Sequence, residues 1–296
     1  MTESTPLPLT ELISVPESLR VVPRFRWHSM AIFGLITFGI IIFISIFAPL
    51  LTSYDPIEQE LSNRLQFPSS EHLLGTDALG RDVFSRILFG GRQALAISFV
   101  SVLICATFGT IVGALASRHA GSTLDEILMR LIDLFLSFPA IIIALMIVVS
   151  LKPGFWPLVL ALTVTGWTPY ARLARAVGLE IATQTYIEAA AATGEPEFLT
   201  MRKHIIPNIL GPVLAQVFLR FGHTLLTISG LSYLGIGIQP PIPDWGSMLA
   251  ESQAYMVRVP TLILSPGFII FITTLGVTMA GQGLMLMFDP QQKRTW

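Results

Sequence analysis

The chain has 296 residues, of which 52% are hydrophobic and only 12% charged, with a formal net charge of −1. Soluble domains carry about 25% charged residues, so composition excludes an ordinary soluble domain and indicates an all-α, polytopic membrane protein. The near-zero charge gives no electrostatic footprint for nucleic acid, and the lone Cys105 has no partner for an internal disulfide.

In chain order, residues 1–30 carry Glu3, Glu11 and Glu17 ahead of the basic cluster, and no A-x-A-like site follows the first apolar run. That pattern is not a signal peptide. Residues 1–30 are expected to be cytoplasmic and the first apolar run to stay as an anchor. A membrane-crossing helix needs about 20 apolar residues. Six stretches meet that requirement: 31–50, about 93–116, about 131–151, about 155–174, about 209–231 and about 262–287. Prolines 139, 157 and 169 predict kinks, which a membrane tolerates when neighbouring helices satisfy the freed carbonyls. Gly109 and Gly113 form a small-xxx-small pair in the second stretch, a close-packing face unless composition alone places them.

With the N-terminus inside, eleven Lys and Arg fall on the cytoplasmic side and six outside, with Arg220 in neither group. The inside set is Arg20, Arg24, Arg26, Arg118, Arg130, Arg172, Arg175, Arg202, Lys203, Lys293 and Arg294; the outside set is Arg64, Arg81, Arg86, Arg92, Lys152 and Arg258. The bias has the sign of the positive-inside rule. It predicts both termini in the cytoplasm, an external loop 51–92, a five-span core 93–287 with a cytoplasmic loop 177–208, and a cytoplasmic tail 288–296.

Loop 177–208 contains "YIEAAAATGEPEFLTMRKHIIPN", residues 186–208. Residues 183–193 are alanine-rich and favour a short helix. Gly194 allows it to end and turn. Residues 195–206 predict a second short helix with Pro196 in its first turn, and Pro207 is expected to stop its simple continuation into the fifth span. The hairpin is either a small-residue docking surface or a surface connection that happens to be helical.

Other positions carry two readings each. Arg220 lies roughly 15 Å into the fifth span, a depth where a charge must be paired or hydrated; His223 is three residues on and shares its face. The pair lines a polar pathway for a carboxylate or metal-chelate substrate, or it binds a structural partner. One His without nearby acid or Cys supplies too few ligands for a metal. Asp77, Arg81, Asp82 and Arg86 alternate in sign and can pair on one helical turn, with Gly75 and Gly80 suited to tight turns. They form a gate or docking surface, or loop scaffolding. Asp244 and Trp245 cap the outer mouth, or Trp245 anchors at the interface.

The spacing Glu188, Ala189, Ala190, Gly194 and Pro207 resembles the EAA loop of ABC-importer permeases, and "KHIIPN" resembles the form usual in one subfamily. "HLLGTDALGRDVFSR" (72–86), "LSYLGIGIQPPIPDWGSML" (231–249) and the last span with its "GQGL" resemble signatures of the dipeptide, oligopeptide and nickel permeases. The first of these contains the loop signature Gly75, Thr76, Asp77, Gly80, Arg81 and Asp82. The resemblance covers about residues 30–290. It departs from the pattern at Gln282, Met285 and Leu286, where charged residues are usual, and at Arg220 and His223, where members often have Asp and Asn.

The resemblance implies a type I importer permease in the cytoplasmic (inner) membrane, non-enzymatic and without cofactors. It implies as partners a second homologous permease, cytoplasmic ATPase subunits on which the hairpin rides as a coupling helix, and an extracytoplasmic solute-binding protein. No G-x-x-x-x-G-K-[ST] motif is present, so ATP hydrolysis is expected on a separate subunit. The substrate is a di- or oligopeptide, or nickel or a metal chelate, toward which "TISGLSYLGIG" (227–237) leans slightly. The alternative is a self-sufficient secondary carrier or channel; the apolar middles of the spans lack the Asp or Glu that coupling to an ion would need.

Overall fold

The structure is a computed structural model and describes residues 29–288. The expectations for the N-terminal segment through residue 28 and for the tail from residue 289 lie outside the described residues. The described chain is helical: α1 (Ser29–Ile46), α2 (Ala48–Leu51), α3 (Val83–Arg118), α4 (Thr123–Leu136), α5 (Ala140–Leu151), α6 (Phe155–Gly166), α7 (Thr168–Ala182), α8 (Thr185–Ala192), α9 (Glu197–Thr200), α10 (Ile206–Tyr233), α11 (Trp245–Ser252) and α12 (Thr261–Phe288).

Four helical stretches are long and apolar enough to cross a membrane: Ser29–Ile46, Val83–Arg118, Glu197–Tyr233 and Thr261–Met287. A fifth is added if α4 and α5, bent by 79°, count as one. Six continuous spans are therefore not what the fold builds. The expected third span breaks before Pro139, which has no N–H to carry the helix on; Ser137 instead takes up the Asp133 and Leu134 carbonyls. The expected fourth span splits at Trp167 into α6 and α7. The second starts ten residues earlier than its hydropathy suggests, because Asp82 caps the helix by accepting from the Ser85 N–H.

Helices approach closely where side chains are small. α3 packs on α7 through Gly109 and Gly113, where an added Cβ would overlap the carbonyl oxygens of Trp167 and Ala171. α1 packs on α12, with Gly34 against the Ala280 backbone. α10 lies among α3, α7 and α12, and the two largest groups of buried apolar side chains both draw on α3 and α10. The outward faces stay apolar, as at Phe33, Ile36 and Ile40 of α1, which suits a lipid solvent.

Candidate functional site

Three arrangements follow α3 from one end to the other. At the Val83 end, the 51–82 segment folds back on itself through a bridge between Thr76 and Asp82. Gly75 and Gly80 turn it at φ +78° and +75°, and the Thr76 hydroxyl donates to the Asn63 carbonyl. Asp77 accepts from Arg81 Nε at 2.6 Å, and Glu251 Oε2 accepts from Arg81 at 2.7 Å and from Arg86 at 3.1 Å. Arg81 is 4% exposed and Arg86 1%. Two buried guanidiniums are thus held by two carboxylates from distant parts of the chain. Asp82 pairs with His72 Nδ1 at 2.9 Å rather than with an arginine. The four charges that alternate in sequence do not share one helical turn, but two of the expected pairs form, since Asp77 meets both Arg81, at 2.6 Å, and Arg86, at 3.5 Å.

α11 locks onto this end. Asp244 caps it by accepting from the Ser247 N–H at 3.0 Å, and burial pushes its carboxyl above the usual carboxylate range. Trp245 is 1% exposed; its indole N–H donates to the Ile87 carbonyl at 2.8 Å. Its ring lies over Gly90 and Gly91 of α3. Neither residue lines the central cavity, and Trp245 is no interfacial anchor: the glycine-faced side of α3 admits the ring and the Ile87 carbonyl satisfies its N–H.

Midway, α3, α4, α5, α6, α7 and α10 surround a cavity of about 350 Å³. Arg220 and His223 both line it, so the two are brought together while Asp244 and Trp245 are not. Ser101 of α3 and Tyr170 of α7 line it as well. The α4–α5 and α6–α7 breaks both border it, in keeping with interrupted helices being tolerated at membrane depth beside a cavity.

At the Arg118 end, the hairpin expected from sequence forms. α8 ends with Gly194 at φ +80°, and the Thr193 and Glu195 N–H groups donate to the Ala189 and Ala190 carbonyls. Glu188 and Ala189 are exposed, and among the described residues no side chain bonds to the Glu188 carboxylate. Glu195 holds Lys203 at 3.0 Å and His204 at 3.3 Å; the Lys203 hydrogen bond is the main reason its carboxyl sits below the usual range. Arg118, the last residue of α3, reaches Glu197 at 3.0 Å.

Two boundaries differ from expectation. Residues 177–182 belong to α7 rather than to the loop. Pro207 does not interrupt the chain: helix runs from Glu197 to Tyr233. A π turn at Met201–Ile205 bonds the Ile206 N–H to the Met201 carbonyl, and Pro207 falls in the first turn of α10, where a missing N–H costs little.

Sequence reading missed Glu251, Ser101 and Tyr170. For Glu251 a signal existed: Arg81 and Arg86 stand close in sequence to Asp77 and Asp82, and two buried guanidiniums call for a further acid once Asp82 is taken by His72. Ser101 and Tyr170 gave none, being an ordinary hydroxyl and an aromatic in apolar runs.

Residues 107–294 match the family described as binding-protein-dependent transport system inner membrane component, and residues 19–68 match the N-terminal TM domain of oligopeptide transport permease C. The chain is 37% identical to the dipeptide transport system permease protein DppC of Alkalihalophilus pseudofirmus, over 98% of this chain and 95% of that one. It is 33% identical to the oligopeptide transport system permease protein OppC of Bacillus subtilis, over 92% and 88%. It is 37% identical to the glutathione transport system permease protein GsiD of Pectobacterium atrosepticum, over 91% and 90%. Its fold resembles a chain of the MetNI methionine ABC transporter in an inward-facing conformation, with a TM-score of 0.57, 20% identity, and coverage of 69% of this chain and 96% of that chain. The chain is thus a member of the family of inner membrane components of binding-protein-dependent transport systems, a permease subunit of an ABC importer.

Proposed function

We propose that this permease subunit forms half of a translocation pathway for di- or oligopeptides, paired with a second, homologous permease and driven by ATPase subunits that dock on the α8–α9 hairpin. ATP is hydrolysed on those separate subunits, and an extracytoplasmic binding protein delivers the solute. Both termini and the hairpin face the cytoplasm, while the Val83 end of α3 faces out. The permeases of dipeptides, oligopeptides and glutathione among its relatives support peptides over nickel or metal chelates. A secondary carrier is not favoured.

The observation that carries the coupling role is the hairpin's unfinished surface. Glu188 and Ala189 are exposed, Phe198 is 65% exposed, and the Glu188 carboxylate has no partner among the described residues. Small side chains around one unspent charge let another protein approach closely. The hairpin also passes without a break into α10, which lines the cavity.

The test is to tag the chain, extract it gently and identify what co-purifies, with Glu188→Arg as the variant. The expected result is recovery of ATPase polypeptides and a second permease with wild type, and loss of the ATPase alone with the variant. Purification of the chain by itself, or an unchanged complex with Glu188→Arg, would remove the coupling role.

A further inference from the structure

Arg220 sits near the middle of the 28-residue α10, a position that asks for a counter-charge. Among the described residues it makes no hydrogen bond and no ion pair. The acids of the flanking α4 are all engaged elsewhere: Asp125 by Arg175, Glu126 by Arg130 and Asp133 by Arg172. No Asp or Glu lines the cavity into which Arg220 opens.

The other polar groups around that cavity point the same way. Tyr170 and Ser101, each 1% exposed, stand in its wall, with hydroxyls buried and without a hydrogen-bond partner among the described residues. Ala140 and Ile141, the first two residues of α5, also line it, and no side chain caps that helix start. At the opposing end of α4, Ser137 bonds the Asp133 and Leu134 carbonyls, which leaves fewer free carbonyls facing the guanidinium. A guanidinium and an uncapped helix N-terminus therefore converge on a space that no described carboxylate lines. Such a set lacks one thing, a ligand that accepts hydrogen bonds and carries negative charge. The volume, about 350 Å³, falls in the usual range for small-molecule sites, about 300–1,000 Å³.

We infer that this cavity is a carboxylate subsite on the transport path, in which Arg220, with His223 beside it, holds the C-terminal carboxylate of a passing peptide. The inference rests on the peptide-permease reading above. Arg220 binds the solute's charge, and the free N–H groups at the start of α5 face the same space. Binding at this point selects for an anionic end independently of the external binding protein.

The experiment uses the complete transporter, with its co-purifying subunits and binding protein, reconstituted in proteoliposomes. Uptake of radiolabelled dialanine and of its C-terminal amide is measured for wild type, Arg220→Gln and Arg220→Lys. The expected result is that Arg220→Gln lowers the dialanine-to-amide uptake ratio by about tenfold, as losing a hydrogen bond to a charged group implies. Arg220→Gln still assembles with the second permease and the ATPase subunits, and Arg220→Lys restores most of the ratio. An unchanged ratio, or equal slowing of both compounds, overturns the subsite. Loss of the second permease from the Arg220→Gln complex overturns it in a different way, by showing that a subunit side chain supplies the missing carboxylate. Failure of the wild-type complex to take up dialanine or any of a set of di- to pentapeptides removes the peptide reading itself.

Discussion

Gly80 and Gly194 both turn the chain at positive φ, +75° and +80°, yet their surroundings are opposites. A Cβ on Gly80 would overlap the Glu60 carbonyl, whereas nothing lies within 4 Å of the same position at Gly194. The contrast extends to the charges nearby. Around Gly80 the guanidiniums of Arg81 and Arg86 are buried and shared between Asp77 and Glu251. Around Gly194 the pairs Lys203–Glu195 and Arg118–Glu197 each have at least one side chain more than half exposed, and the Glu188 carboxylate has no partner among the described residues. One end of α3 has completed its interactions within the chain, while the other has left a surface to be completed from outside.

The contrast is broken most severely by Asp77→Ala. Two buried cations would then share Glu251 alone, and removing one partner of a buried ion pair costs about 3–5 kcal/mol. Thermal unfolding of the purified protein in detergent is expected to fall accordingly, and an unchanged midpoint would mean the clasp contributes nothing. Gly80→Ala follows at about 3 kcal/mol, from the left-handed backbone penalty plus the overlap with Glu60. Gly194→Ala meets only the backbone penalty, about 1–2 kcal/mol, and is expected to leave global unfolding nearly unmoved while raising protease cleavage within 183–205. Equal losses at the two glycines would erase the distinction between the ends.

The smallest effect is a pH dependence. Glu195 has a depressed carboxyl in the folded state. Its contribution is therefore present above the ordinary Glu value and is lost as pH falls through the lower folded value. Protease resistance of the hairpin should decline in that acidic window, and Glu195→Gln should remove the decline. A variant that keeps the wild-type acid profile would assign the decline to other groups.

The hairpin and the long helices were readable because their signals are local. Alanine-rich composition, Gly194 and Pro196 act on their own turns, and α1, α3, α10 and α12 announce themselves by apolar length. The broken spans were less legible. Pro139 and Pro169 both signalled kinks, the latter just past the break at Trp167, but how far each bends the chain depends on what surrounds the freed carbonyls. Trp245 was misplaced because sequence shows an aromatic near a span end but not the two glycines, Gly90 and Gly91, that receive it from more than 150 positions away. The pairing of Arg86 was read only in part for the same reason: Glu251, its second partner, is 165 residues distant.

The unbroken helix from Glu197 to Tyr233 has a mechanical consequence. Arg220 lies 23 residues along it from Glu197, roughly 35 Å at the helical rise. A rod of that length pivoting by about 10° at the hairpin carries the guanidinium sideways by roughly 6 Å, more than the reach of a hydrogen bond. Spin labels at 197 and 220 would keep their separation during such a stroke while the one at 220 moved against α3. The same swing that answers a partner at one end would let go of a charge in the middle.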